Sequence, residues 1–329
     1  MRLANDISLN KRSFLNKLLF WLLKLTVIFF LGSMLYAQWG NLDSSFILTG
    51  LVLLGVVAID LNHVNDPHQP IEENARWKIA VNSLLANAAG AMLTFWMSQY
   101  LGIGPVLSSA IVGLLGSLLL PKLGTEIYTG SFVGMCAKAI APQDSLILLA
   151  GIIAGLIFFF SRSTLVGFGG KLGTIAFASV VLATLALGQK LPSFTPQTSD
   201  FSWMIILSSA LAAGLTWLLA DLKPLGAVRA SSIVGLIGGL FFPLFLPLTG
   251  SIHAAAVFCA SFVGMASRER KPKLWMVVIA GVIAGALIQF SAPIFGGFGG
   301  KLGTIAMASV LSVWGYRTVF DKLRSTNSN

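Results

Sequence analysis

Charged residues are scarce in this 329-residue chain: they make up 10% of it, whereas hydrophobic residues make up 56%. Soluble proteins carry about a quarter of their residues as Asp, Glu, Lys and Arg. The scarcity of charge therefore excludes an ordinary soluble domain. Cysteine is also rare, and Cys136 and Cys259 lie alone in apolar segments, which favours core packing over a disulfide or a thiolate metal site.

What the chain does contain is a series of apolar runs, with a mean hydropathy of +0.84. Several runs approach the roughly 20 residues that a helix needs to cross a bilayer. They predict an all-α integral membrane protein embedded in a lipid bilayer. Because they leave no room for a sizeable water-soluble domain, we expect no enzyme activity and no cofactor.

The formal net charge of +10 comes from basic residues in short loops and at the termini. This distribution is typical of membrane proteins, whose cytoplasmic loops carry an excess of Lys and Arg. We therefore expect no nucleic-acid partner. The pattern predicts a bacterial inner (plasma) membrane location with both termini cytoplasmic.

A glycine-rich stretch of ten residues occurs twice without change, at Gly167–Ala176 and at Gly297–Ala306. Ser131–Met135 likewise recurs at Ser261–Met265. Such matches predict that the chain arose by duplication of one membrane unit. The predicted organisation is a signal anchor, second span and polar loop over residues 1–78, a first repeat over 79–189, a linker over 190–201, a second repeat over 202–320, and a polar tail over 321–329.

The orientation of the two halves depends on whether the segment that holds Ser131–Met135 crosses the membrane. If it crosses, each half has five spans and the halves form inverted 5+5 repeats with re-entrant or broken helices. If it only dips in, the halves are parallel 4+4 repeats. The positive-inside rule favours inversion by a small margin. In general organisation alone, the inverted layout resembles transporters that bind solute near the midplane.

The repeated loop has the chemistry of a binding site for a small anion or a carbonyl oxygen. Glycines let main-chain amides turn inward together, and the run leads into a helix whose first amides lack partners. A lysine adds positive charge and a threonine adds a hydroxyl. The predicted substrate-binding residues are Gly167, Phe168, Gly169, Gly170, Lys171, Thr174, Gly297, Phe298, Gly299, Gly300, Lys301 and Thr304, with Ser131 and Ser261 as secondary members.

A structural explanation of the same loops stays open. Glycines also lie where two helices cross closely, and a lysine beside them can pair with lipid phosphate at the interface. The lysines are identical in the two copies, and ionisable groups within a helix bundle are costly, which favours a functional role.

The sequence thus predicts a membrane transporter or channel for a small polar, anionic solute, and leaves homo-oligomerisation open. The alternatives are a membrane-embedded enzyme of lipid metabolism and a structural subunit without transport. The enzyme would need the polar loop Asp60–Lys78, because only that loop could supply a cluster of acids and histidines. Its His63, Asp66 and His68 fit no compact ligand spacing, so we expect no metal site.

Overall fold

The computed structural model describes residues 2–40, 43–60, 73–192, 201–222 and 225–326, with side chains from Phe14 onward in the first helix and from Trp77 onward in the third. Within these ranges the chain forms twelve α-helices and no strand. The helices are α1 (Arg2–Ala37), α2 (Ser44–Ala58), α3 (Glu73–Gln99), α4 (Pro105–Leu119), α5 (Gly124–Val133), α6 (Asp144–Phe160), α7 (Lys171–Ala186), α8 (Trp203–Ala220), α9 (Gly226–Phe245), α10 (Gly250–Gly264), α11 (Leu274–Phe290) and α12 (Lys301–Thr326).

Four helical segments in the described part of the chain are long and apolar enough to cross a membrane. They are Phe14–Ala37, Trp77–Gln99, Trp203–Ala220 and Gly226–Phe245. Large apolar side chains such as Leu211 and Leu240 are more than half exposed on their outer faces. Because an extended apolar surface is unfavourable in water, these faces indicate contact with lipid. The prediction of a helical membrane protein is confirmed at this level.

Local interactions fix the ends of α2. The Asp43 carboxylate accepts hydrogen bonds from the backbone N–H groups of Ser45 at 3.0 Å and Phe46 at 3.1 Å, which caps the first turn. The hydroxyl of Ser45 and these amides hold the pKa of Asp43 below its usual value. At the other end, Nζ of the buried Lys24 donates to the carbonyl of Ile59 at 2.6 Å. The lysine of α1 therefore stabilises the end of α2.

Two groups of five helices, α3 to α7 and α8 to α12, pack in the same order. In the first group α3 packs against α5 and α6, and in the second α8 packs against α10 and α11. The groups meet where α4 contacts α9 and where α7 contacts α12. Because the glycine loops lead into α7 and α12, both loops lie beside this second contact.

The segments that hold Ser131–Met135 and Ser261–Met265 form short helices. Helix α5 has 10 residues and α10 has 15. At 1.5 Å per residue they are about 15 and 22 Å long, less than the roughly 30 Å of a bilayer core. Both helices are therefore shorter than the bilayer core is thick, and the prediction of re-entrant or broken helices stays a prediction.

Two predicted segments fall largely outside the described residues. They are the linker, of which residues 193–200 are not described, and the polar loop, of which residues 61–72 are not described. His63, Asp66, His68 and Glu72 belong to the second. The prediction about metal binding by that loop therefore stays a prediction.

Candidate functional site

The two glycine loops share one backbone conformation. Positive φ angles occur at Leu165, Gly167 and Gly170 in the first loop and at the corresponding Phe295, Gly297 and Gly300 in the second. Positive φ is uncommon for residues other than glycine, so Leu165 and Phe295 are held there by their surroundings, and both are fully buried. The sequence repeat thus encodes a repeated three-dimensional loop.

The glycines after each loop allow α7 and α12 to cross at backbone contact. A Cβ built on Gly173 would lie 2.5 Å from the Cα of Gly303. A Cβ on Gly170 would lie 2.5 Å from the carbonyl oxygen of Gly303. No larger residue fits at this distance without moving a helix. The predicted loop residues therefore come together at the first turns of these two helices.

Each loop also bonds to the other half of the molecule. The N–H of Ser267, just after α10, donates to the carbonyl of Gly167 at 2.9 Å. The matching N–H of Ala137, after α5, donates to the carbonyl of Gly297 at 2.8 Å. The first loop is thus held by the end of α10, and the second by the end of α5.

Each of the two predicted lysines points to the end of the helix that precedes its own loop. Nζ of Lys171 donates to the carbonyl of Ser161 at 2.5 Å, and Nζ of Lys301 donates to the carbonyl of Ser291. These serines cap the C-terminal ends of α6 and α11, where carbonyls lack helical partners and the helix dipole favours a cation. Each lysine therefore stabilises the end of the helix before its own loop.

The predicted threonines bond within their own helices. The hydroxyl of Thr174 donates to the carbonyl of Gly170 at 3.2 Å, and that of Thr304 donates to Gly300 at 3.3 Å. A hydroxyl that donates in this way keeps oxygen lone pairs but offers no second hydrogen. Both threonines are fully buried, so as placed they stabilise the first turns of α7 and α12 and do not reach a solute.

Two cavities adjoin the loops, one for each copy. The first, of about 230 Å³, is lined by Gly167, Gly170 and Lys171 together with Phe262 and Met265 from the other half. The second, of about 350 Å³, is lined by Gly297, Gly300 and Lys301 together with Met135 from the other half. Each cavity thus combines one loop, one lysine and the end of the short helix of the opposite half.

The predicted phenylalanines line these cavities. Phe168 lies in the first, against the ring of Trp314 at 5.9 Å between centroids, and also borders a third cavity near Arg270. Phe298 lies in the second and packs edge-on against Phe295 at 5.2 Å. Phe168 therefore separates two cavities.

The secondary residues Ser131 and Ser261 lie in a buried chain of hydroxyls where the halves meet. Ser131 is 2.8 Å from Ser109, and Ser261 is 2.8 Å from Ser231. The hydroxyl of Tyr128 lies 2.9 Å from Ser231 and links the halves. Both predicted serines are fully buried and already hydrogen-bonded. They do not border the two cavities described above.

The sequence analysis missed a partly buried ion pair beside the first cavity. Nη2 of Arg162 lies 2.8 Å from Oε1 of Glu126, and Arg162 lines the same cavity as Lys171. A signal was available: when the copies are aligned on the ten-residue repeat, Ala292 and Ala256 occupy the corresponding positions. A comparison of the two copies at these positions would therefore have identified Glu126 and Arg162 as charged residues that only the first copy contains.

Among the described residues, no group of three or more His, Cys, Asp or Glu side chains is placed to hold a metal ion. Comparison of the chain with protein families, with curated proteins and with solved structures finds no match. The functional conclusion therefore depends on the geometry of the two loops and their cavities.

Proposed function

We propose that this protein moves a small polar, anionic solute across the membrane, as a transporter or channel, along a path between its two halves. The observation that carries the proposal is the pair of cavities. Each is lined by one copy of the repeated loop and by the end of α5 or α10 from the opposite half. A solute between the halves would meet both loops in turn.

The contacts of the loops support inverted 5+5 repeats. The end of α5 is joined by a short connection to the start of α6, and the first loop follows the end of α6. Since α6 has 17 residues, these points are about 25 Å apart along its axis. The first loop bonds to the end of α10, so the ends of α5 and α10 lie near opposite ends of α6, as inverted repeats require. Corresponding helices then run in opposite directions.

The charges of the cavities support an anion. Each cavity has a lysine at its wall and the amide-rich start of a helix beside it. The bond to Ser161 uses one of the three N–H donors of Lys171, which leaves donors for a solute. In this proposal the lysine has two roles: its bond to Ser161 holds the loop in place, and its remaining donors attract the anion.

The proposal keeps the bacterial inner (plasma) membrane, with both termini and the basic segment around Arg268–Arg270 at the cytoplasmic face. The first cavity then opens on the cytoplasmic side and the second on the outer side. The alternative of a membrane-embedded enzyme predicts that joint replacement of His63, His68, Glu72 and Glu73 abolishes function. Our proposal predicts that transport survives this change.

The test is flux in liposomes that contain the purified protein. Uptake of chloride, lactate and urea is measured with current recorded, so that anion flux, neutral permeation and no transport are distinguished. Lys171→Ala and Lys301→Ala should each lower anion flux about tenfold, the size expected for one lost hydrogen bond to a charged group. Lys322→Ala, which removes an exposed charge at the end of α12, is the matched control. Unchanged anion flux in both single variants and in the double variant would refute the site.

A further inference from the structure

The two cavities are not chemically equivalent. The first is lined by Arg162, whose guanidinium forms an ion pair at 2.8 Å with Glu126, a residue that does not line the cavity. In the second half, Ala292 and Ala256 occupy the corresponding positions. A third difference follows the same pattern, because Thr125 lines the first cavity and Ala255 lines the second. Only the first copy of the unit therefore has side chains that can discriminate among solutes at these positions.

The ion pair uses a small part of the arginine's binding capacity. Nη2 of Arg162 donates to Glu126 at 2.8 Å and to the hydroxyl of Ser83 at 3.0 Å. Within the described part of the chain, Nε and Nη1 make no hydrogen bond to protein. The Arg162 side chain is 25% exposed, whereas that of Glu126 is 7% exposed. The guanidinium therefore reaches the cavity, and the carboxylate stays behind it.

We infer that the first cavity is the selective site and that it binds a small monocarboxylate, with Arg162 as the carboxylate-binding residue. This inference rests on the proposed function and names the class of solute. A guanidinium presents a planar fork of donors that matches a carboxylate in two parallel hydrogen bonds. Glu126 is the resident counter-ion of Arg162 when the solute is absent.

The dimensions and walls of the cavity set the size of the solute. A volume of about 230 Å³ corresponds to roughly eight waters at about 30 Å³ each. The rings of Phe132, Phe158 and Phe262 form apolar walls, and the Phe158 ring lies beside the guanidinium, with its centroid 5.7 Å from Cζ of Arg162. An acid with a short hydrocarbon tail fits this arrangement. Lys171 supplies a second positive charge, so the bound anion leaves the cavity close to neutral.

The second cavity then acts as a less selective passage. Lys301 is its charged side chain, and a lysine attracts anions as a point charge without the planar match of an arginine. Replacing Lys301 should therefore lower the flux of chloride and lactate alike. Replacing Arg162 should lower lactate flux much more than chloride flux.

The variants must avoid a buried, unpaired charge. Arg162→Gln alone would leave Glu126 without its counter-charge, which is strongly destabilising. The double variant Arg162→Gln with Glu126→Gln removes both charges, leaves the net charge unchanged, keeps the volume at position 126 and shortens the side chain at position 162. Arg162→Lys keeps the charge and loses the fork. Lys322→Gln on the exposed end of α12 is the control for replacing a charged side chain outside the cavity.

Two measurements are made on each purified protein: lactate-dependent thermal stabilisation in detergent, and flux of lactate, chloride and lactamide in liposomes. For the wild type we expect lactate, but not lactamide, to raise the unfolding temperature, because a ligand that binds the folded state stabilises it. In the double variant and in Arg162→Lys, the half-saturating lactate concentration should rise about 10- to 100-fold. Lactate flux should fall much more than chloride flux in both variants, so that the ratio of lactate flux to chloride flux decreases.

The outcomes separate this inference from the proposed function. Flux that persists in the double variant with wild-type preference for lactate over chloride would overturn the inference and leave transport intact. Absence of flux for every solute in the wild type, together with Arg162-dependent stabilisation by lactate, would overturn transport and keep the binding site. No stabilisation of the wild type by lactate at any concentration would contradict the inference directly.

Discussion

The crossing of α7 and α12 gives the sharpest structural prediction. Replacing Gly173 by alanine places a Cβ 2.5 Å from the Cα of Gly303. Carbon atoms pack at about 3.5 to 4.0 Å, so the helices must separate by about 1 Å or more. The neighbouring atom is backbone, so no side-chain rotation relieves the contact. We expect a loss of about 1 to 3 kcal/mol in stability, the range for overpacking in a filled core.

Gly214 provides the matched control within the same protein. It lies inside α8, and a Cβ built there would be 3.5 Å from Val278, an ordinary contact. Alanine is favoured over glycine inside a helix by about 1 kcal/mol, so Gly214→Ala should be neutral or stabilising. Thermal unfolding in detergent, followed by tryptophan fluorescence, and anion flux in liposomes are measured for both variants. Equal stability and wild-type flux for Gly173→Ala would refute the close crossing.

Three further predictions concern single side chains. Phe168→Ala should join the first cavity to the one near Arg270 and raise anion leak in liposomes; a leak no greater than that of Phe298→Ala would count against a separating role. Tyr128→Phe should lower stability by about 1 kcal/mol in a detergent melt, since it removes the hydroxyl contact between the halves, and an unchanged melt would contradict this role. Asp43→Ala should cost about 0.5 to 2 kcal/mol through loss of the α2 cap, whereas Asp43→Asn should retain most of it. Because the folded state lowers the pKa of Asp43, the charged cap contributes its full stability above the ordinary carboxyl pKa, and this stability is lost as the pH falls through the lowered pKa. A stability difference between the wild type and Asp43→Asn that stays constant across this pH range would contradict the assignment.

Much of the helical framework could be predicted from hydrophobic runs. The runs Leu146–Phe160 and Met276–Phe290 lie within α6 and α11 and end at the same residues, because a polar serine and a turn follow each. The repeated loop could be recognised because its ten residues recur unchanged. Its glycines serve two purposes, since they adopt positive φ angles and allow α7 and α12 to cross closely. Local sequence carries these features, so they can be read without the fold.

The partners of the charged residues could not be read in this way. Lys171 meets Ser161 ten residues earlier because the loop between them reverses the chain through positive φ angles. Glu126 and Arg162 are 36 residues apart, and Tyr128 and Ser231 are 103 apart. Such pairs depend on how the helices of the two groups pack. The sequence therefore predicted where charge lies along the chain, but not what it contacts.

The central claim is that corresponding parts of the two halves face opposite sides of the membrane. Lys138 and Arg268 test it, because they occupy matching positions after α5 and α10 and both side chains are more than 40% exposed. Each is replaced by cysteine in turn; the native Cys136 and Cys259 are buried and serve as the unlabelled background. A membrane-impermeant maleimide is added to sealed membrane vesicles of both orientations. We predict that the two positions react from opposite faces, whereas reaction of both from the same face would contradict the inverted arrangement and the transport path built on it.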